Sequence, residues 1–394
     1  MNSLILKPEV QAYLREHLNL DSATLALKGS PFEGITGAEL AQQLTGMQKT
    51  QKKLPVWFET SDIYYPPKLN LEQTSSEETA AYKASLFEGD TLADLTGGYG
   101  VDSLAFSKSF KTVYYCERNE ELAKLVQHNF KQLGAPQIEV KTTDSIPFLN
   151  KTAVNFDLIY ADPSRRHEHK GKVFMLADCE PNIPQHLDSI FKKTNRVMVK
   201  TSPLLDLQAA AQELRHVSEI HSVALKNEVK ELLFILEPAA DSRTFTKIAI
   251  NLESDYPEAI SLSTDEEQQA TAQYDKPLEY LYEPHAALMK LGAFNWIGQH
   301  FNLAKLAANT HLYTSSELLE FPGRRFSIER VLAYSKKLLT KEFKNQKAHI
   351  TTRNFKESVS AIRSKFRIQD GGDTYLFFTT LEDGKSQVIE CRKV

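Results

Sequence analysis

Between Thr91 and Leu252 the chain alternates short apolar runs with stretches whose apolar residues recur every three or four positions. Thr91–Leu95, Thr112–Cys116, Ile138–Thr142, Phe156–Ala161, Val197–Thr201, Glu231–Leu236 and Lys247–Leu252 are strand-sized. Val101–Ser109 and Glu120–Leu133 have helical spacing, and Gly134 and Pro136 end the second. Strand and helix in alternation predict a parallel sheet covered on both faces. Ligands on such sheets bind beyond the carboxyl ends of the strands, so the loops after strands are where chemistry is expected.

The flanks differ. Residues 1 to about 80 read as helical: Val10–Leu18, then Gly37–Leu44 behind Thr36 as N-cap. An irregular stretch from Trp57 ends in Pro66-Pro67, which exclude helix. Ser75-Ser-Glu-Glu-Thr then caps a helix running to about Phe87. The polar stretch Glu253–Asp275 reads as a boundary or a decorated edge. Beyond it Pro284–Ile297 and Leu303–Ala308 read as helical, Leu312–Phe326 as mixed, and Ile328–Phe343 includes a helix. His349–Arg353, Ser358–Phe366, Thr374–Thr380 and Gln387–Cys391 follow as strand, helix, strand, strand, with Asp370-Gly-Gly-Asp as a turn. They predict a small α+β unit.

With 394 residues, the chain is long enough for two or three domains. At 41% hydrophobic and 25% charged residues it is globular in composition, without an apolar run of membrane-spanning length. The N-terminus gains charge too early for a signal peptide, and Cys116, Cys179 and Cys391 lack disulfide-framework or zinc spacing, so a reducing cytoplasm is expected. The net charge of −4 conceals an asymmetry: from Phe321 to Val394, 16 Lys and Arg stand against 8 Asp and Glu. A basic tail on an acidic body suits a polyanion, or forms a solvated lysine-rich surface.

The candidate chemistry falls on the loops after strands. Asp94-Leu-Thr96-Gly97-Gly98-Tyr-Gly100-Val-Asp-Ser lies at a strand-to-helix junction, where glycines let backbone close on a nucleotide-like ligand. The dinucleotide spacing fails, because Ser103 takes the place of the third glycine. Asp94, three residues ahead of Gly97, can hold the cationic amino-acid end of a ligand, which suits a methionine moiety better than a pyrophosphate. A functionless glycine turn is the alternative. Glu117, at the end of the second strand, can accept from both ribose hydroxyls of either NAD or S-adenosylmethionine. Asp144 and the backbone of Ser145, after the third, can address an adenine edge, or Asp144 is only an N-cap. The apolar strand Phe156–Ala161 delivers Asp162-Pro163, then Ser164, Arg165 and Arg166. Proline fixes the backbone and frees carbonyls for a target amine, while the arginines can grip phosphate or stack on a base. His167 and His169 lack a third ligand, so no metal is expected. Lys200-Thr-Ser-Pro203 lies on the same edge and shapes the pocket or is an ordinary loop.

On these residues the chain resembles class I S-adenosylmethionine-dependent methyltransferases, and more closely the bacterial group with a THUMP-like domain at the C-terminus. Its markers here are Leu71-Glu-Gln-Thr-Ser-Ser-Glu, the Asp94 and Asp162 motifs, Tyr282-Glu-Pro-His, Thr352-Arg-Asn-Phe and Gly371-Gly-Asp. The resemblance implies an α/β, Rossmann-like, seven-stranded methyltransferase sheet over 81–275 after an N-terminal helical region at 1–80. It implies a ferredoxin-like segment at 276–325 and a THUMP-like domain at 326–394. It also implies S-adenosylmethionine as cofactor, held by Asp94, Thr96, Gly97, Gly98, Gly100, Glu117, Asp144 and Ser145. Asp162 and Pro163 are then catalytic, and Arg165 and Arg166 bind a structured RNA. A non-catalytic RNA-binding module, a DNA methyltransferase and a nicotinamide-dependent oxidoreductase are the rival readings. The order of domains reverses the usual one for THUMP-bearing enzymes. The Asp162 motif also lacks the second proline and the aromatic by which amine-methylating enzymes stack the target base.

Overall fold

The computed structural model describes residues 1–165, 175–241, 243–256 and 258–394. Arg166, His167 and His169 lie outside the described residues, and Arg165 is described in its backbone alone. The chain divides into two compact units: 1–220 with 230–245, and 221–229 with 246–394.

The first unit opens with helices α1 (Pro8–Glu16), α2 (Ser22–Lys28), α3 (Gly37–Lys53), α4 (Pro55–Glu59), α5 (Lys68–Gln73) and α6 (Glu77–Ser85). Thr36 and Glu39 form a full capping box on α3, which explains why this helix starts where the sequence predicts. It runs on to Lys53 because no breaker intervenes before Pro55. There follow β1 (Gly89–Asp94), α7 (Val101–Phe106), β2 (Phe110–Glu117), α8 (Glu120–Gln132), β3 (Ile138–Thr142), α9 (Ser145–Lys151) and β4 (Leu158–Ala161). A two-residue ladder, β5 (Ser164–Arg165) against β6 (Cys179–Glu180), precedes α10 (Ile183–Ile190), β7 (Val197–Thr201) and α11 (Leu207–Leu214). The hairpin β8 (Val217–Leu225) and β9 (Glu228–Leu236) closes the series, with its turn assigned to the second unit.

Seven strands run in the order β8-β9-β7-β4-β1-β2-β3. From β7 to β3 neighbours are parallel, whereas β9 enters antiparallel beside β7. This is the expected seven-stranded methyltransferase arrangement. The register aligns Asp94 with Tyr115 and Tyr160, and Ala161 with Val199, so the carboxyl ends of β1, β2, β4 and β7 share one rim. The first eighty residues, expected as a region of their own, share a core with this sheet. Leu14, Leu44, Met47, Trp57 and Leu71 pack in one cluster with Leu92, Phe106, Tyr115, Phe130 and Tyr160. Helices that short cannot bury an apolar face alone and so fold onto the sheet.

In the second unit β10 (Thr246–Leu252) pairs antiparallel with β11 (Ile260–Ser263), and α12 (Thr264–Gln269) follows behind a Ser263–Glu266 capping box. The polar stretch, read as a boundary or a decorated edge, holds a strand and a helix. Next come β12 (Tyr280–Pro284), α13 (Ala286–Leu291), α14 (Phe294–His300), β13 (Ala304–Lys305), β14 (Tyr313–Ser315), β15 (Gly323–Ala333), α15 (Lys336–Phe343), β16 (His349–Arg353), α16 (Val359–Phe366), β17 (Thr374–Thr380) and β18 (Ser386–Lys393). Seven strands order as β13-β14-β12-β15-β18-β17-β16. The expected helix at Leu303–Ala308 is instead a strand pairing and a turn, because Ala304 and Lys305 bond across to Thr314 and Tyr313. Gly292, at φ +78°, breaks the expected Pro284–Ile297 helix into α13 and α14. Glu283 is buried and takes both Arg324 and, at 2.8 Å, Nη2 of Arg353. Two motifs 70 residues apart therefore meet inside this unit.

Candidate active site

The glycine loop is held by its neighbours. At Gly97 a Cβ would come within 2.2 Å of the Tyr115 ring, and the Tyr115 hydroxyl donates to the Gly98 carbonyl at 2.6 Å. Gly100 caps α7 at φ +85°, a left-handed conformation that only glycine adopts freely, with Phe130 packed against it. The loop lies flat under open space because β2 and α8 press on it from behind.

Asp94 is 1% exposed. Its Oδ1 accepts from the Thr96 N–H at 3.0 Å, and its Oδ2 accepts from the Ser103 hydroxyl at 2.6 Å. Burial raises its pKa to about 7, against the pull of those hydrogen bonds and with Asp102 and Asp162 adding repulsion. Both oxygens are thus engaged within the loop. Glu117 is half-buried: its Oε2 accepts from the Gly98 N–H at 3.2 Å and its Oε1 from the Asn119 N–H at 2.8 Å. Asp144 is the exposed residue before α9, yet its side chain makes no capping bond there. Ser145 beside it is buried.

The backbone N–H of Asp162 donates to the Thr96 hydroxyl oxygen at 2.7 Å, which joins the glycine loop to the Asp-Pro loop. Gly98, Gly100, Glu117, Asp144, Ser145, Asp162, Pro163 and Ser164 line one cavity of about 1250 Å³. Asn70, Gln73, Thr74 and Ser75, from the Leu71-Glu-Gln-Thr-Ser-Ser motif, line it as well. Seven of the eight residues expected to hold a cofactor thus have an open face on this cavity, and Asp94 stands behind it.

Beneath Asp162 lies an ionic cluster. Lys200, at the end of β7, is ion-paired with Asp162. Burial works against its charge, but Asp162, Asp102 and Glu231 outweigh burial and hold it as an ammonium. Lys83, fully buried on α6, bonds Glu231 of β9 at 2.6 Å and approaches Asp102 of α7 at 3.3 Å. Asp102 also accepts from the Tyr160 hydroxyl at 2.7 Å and from Ser75 at 3.0 Å. Despite burial, Lys83 and Lys200 keep the Asp102 carboxyl below its usual value, whereas burial raises that of Glu231. Of these residues sequence reading singled out Asp162 and Lys200, and Asp102 and Ser75 fell within quoted motifs, whereas Lys83 and Glu231 went unnoticed as charges. Lys83 falls on the same helical face as Thr79, Ala80 and Ala84, and Glu231 opens the apolar run Leu232–Leu236. A charge inside an apolar pattern was the available signal.

In the second unit Arg324, Arg325, Arg330, Arg353, Arg363, Lys365, Lys385 and Arg392 are ion-paired. Lys336, Lys337, Lys341, Lys344 and Lys347, on and just after α15, are exposed and have no ion-pair partner among the described residues. No grouping of side chains suited to a metal occurs among the described residues, and no described helix is long and apolar enough to cross a membrane.

A parallel sheet with one antiparallel strand, a glycine loop and an Asp-Pro loop on one rim define the Rossmann-like methyltransferase class. Comparison narrows this. Over 100% of its length the chain matches the crystal structure of a candidate methyltransferase from Porphyromonas gingivalis W83, covering 98% of that chain at 32% identity and a TM-score of 0.88. Residues 280–322 match a ferredoxin-like domain family and residues 323–393 a THUMP domain-like family. The chain therefore belongs to the class I S-adenosylmethionine-dependent methyltransferase family with a C-terminal THUMP-like domain. More distant likenesses include an rRNA methylase from Streptococcus thermophilus, at 15% identity and TM-score 0.30, over 40% of this chain and 93% of that one. The TrmK protein of M. capricolum bound to S-adenosylhomocysteine matches at 14% identity and TM-score 0.31, over 41% of this chain and 69% of that one. No curated protein matches.

Proposed function

We propose that this protein transfers a methyl group from S-adenosylmethionine to structured RNA, ribosomal or transfer, in the cytoplasm. The observation that carries the reading is the single cavity shared by the glycine loop and the Asp162 loop, joined through the Thr96 hydroxyl. The donor's methionine end rests on Thr96, Gly97, Gly98 and Gly100, with Asp94 fixing the loop from behind. Its ribose hydroxyls donate to lone pairs of Glu117, and its adenine edge meets Asp144 and the backbone of Ser145. Bound there, the donor supplies a sulfonium methyl. Asp162 and Pro163 orient the nucleophile for in-line displacement, so most of the rate gain comes from alignment. Arg165 and Arg166 contact the acceptor. The ferredoxin-like segment (276–325) and THUMP-like domain (326–394) serve as RNA-holding modules, a role supported by the exposed lysines from 336 to 347.

Calorimetric titration with S-adenosylmethionine and with NAD, followed by tritiated-methyl transfer to RNA and DNA from cells lacking the protein, tests this. Saturable donor binding and label in RNA are the expected results. Binding of NAD in place of the donor, label in DNA alone, or donor binding without transfer each overturns it.

A further inference from the structure

The cavity has two ends, and the acceptor end carries a chemical preference. An amine that takes a methyl from a sulfonium becomes cationic before it loses a proton. A buried ammonium beside it opposes that charge, the more so where water is excluded. A hydroxyl behaves oppositely. Its oxygen gains negative character as its proton leaves, and a neighbouring ammonium favours this. Lys200 is 9% exposed, lines the cavity and is ion-paired with Asp162. Behind it Lys83, fully buried, is held by Glu231 at 2.6 Å and by Asp102 at 3.3 Å. Five ionisable groups from α6, α7, β4, β7 and β9 are thus brought under one acceptor position, an arrangement that positioning alone does not require.

We infer that the acceptor is a hydroxyl, the ribose 2′-hydroxyl of RNA, with Asp162 as its proton acceptor and Lys200, its ion-pair partner, as the cation that steadies the developing oxyanion. The inference rests on the reading of the cavity as a methyl-donor site. In the step, an oxygen lone pair forms the new O–C bond while the S–C bond breaks and its electron pair stays on sulfur. The hydroxyl proton passes to the Asp162 oxygen that Lys200 leaves open, and from there to water. Donor and hydroxyl become thioether and methyl ether with release of one proton. Lys200 cannot itself take the proton, because the surrounding carboxylates hold it as an ammonium. Lys83 and Glu231 are positioning residues: Lys83 fixes Asp102 and Glu231, the carboxylates that, with Asp162, surround the Lys200 charge.

The test uses the full chain, tritiated S-adenosylmethionine and RNA from cells lacking the protein, followed by alkaline hydrolysis. A methylated 2′-oxygen cannot attack its phosphate, so the label is expected in alkali-stable dinucleotides. Label in mononucleotides means a base was methylated and overturns the inference while leaving the donor-site reading intact. Absence of label despite donor binding overturns the RNA acceptor and the inference together. Lys200→Met is expected to lower kcat by about 100-fold or more, with donor affinity within about twofold, and Lys200→Arg to recover part of the loss. A Lys200→Met rate within a few-fold of the parent removes Lys200 from the step, whatever the fate of the label.

Discussion

The two ends of the cavity are built in opposite ways. The end proposed for the donor is made of backbone: a glycine loop pressed flat by Tyr115 and Phe130, with half-buried Glu117 bonded to its Gly98 N–H. The end proposed for the acceptor is made of charge, with Lys83, Lys200 and Glu231 buried and Asp102 half-buried beneath Asp162. Backbone geometry tolerates almost no added atom. Buried charge tolerates almost no lost partner. Each end should therefore fail under the substitution the other absorbs.

The largest effect is expected at the acceptor end. Lys83→Met strands Asp102 and Glu231 as buried carboxylates, and removing one partner from such a cluster costs about 3–5 kcal/mol. Chemical denaturation should show that loss, and a change below about 1 kcal/mol would mean the cluster is hydrated and the contrast false. Next, Gly97→Ala drives a methyl into the Tyr115 ring, where a Cβ has 2.2 Å of room. Donor affinity should drop by about 100-fold or more, while the alkali-stable fraction of any remaining product stays unchanged. At Glu117→Ala the loop keeps its shape but loses ribose acceptors, and calorimetry should record a ten- to hundredfold weaker donor, about 1.4–2.7 kcal/mol. An unchanged affinity would move the ribose elsewhere.

The donor end also carries a pH dependence. Asp94 has its folded pKa raised to about 7, mainly by burial, so between about pH 4 and 7 the folded state holds a proton that the unfolded chain has released. Stability from this group is therefore present at low pH, falls as pH rises through that window, and is level above it. Asp94→Asn keeps an acceptor for the Thr96 N–H and removes the slope. Relative to the variant, the parent should lose stability in melts as pH rises from 4 to 7 and lose no more between pH 7 and 8. A constant difference would show that Asp94 is ionised throughout.

What could be read from sequence follows the same division. The donor end is local: Asp94 to Gly100 is one loop, Glu117 and Asp144 each follow an apolar run, and period-two and period-3.6 patterning located the strands that carry them. The acceptor end is assembled from residues 83, 102, 162, 200 and 231, whose proximity exists only once β9 has entered beside β7. No spacing rule links Lys83 to Glu231 across 148 positions. The helix wrongly expected at Leu303–Ala308 has a similar cause, since short apolar runs suit either period and pairing with β14 decided between them. The first eighty residues looked separate because their helices are amphipathic, yet that apolar face is the one laid on the sheet.

The strand β9 lies inside the sheet, between β7 and β8, although both precede it in the chain. During synthesis Lys83 leaves the ribosome long before its counter-ion at position 231 exists. Until the hairpin returns, Lys83 has Asp102 as a counter-ion but lacks its nearer one. Completion of this cluster is thereby tied to translation of a late segment, and a product ending before Glu231 would lack both β9 and the carboxylate it carries.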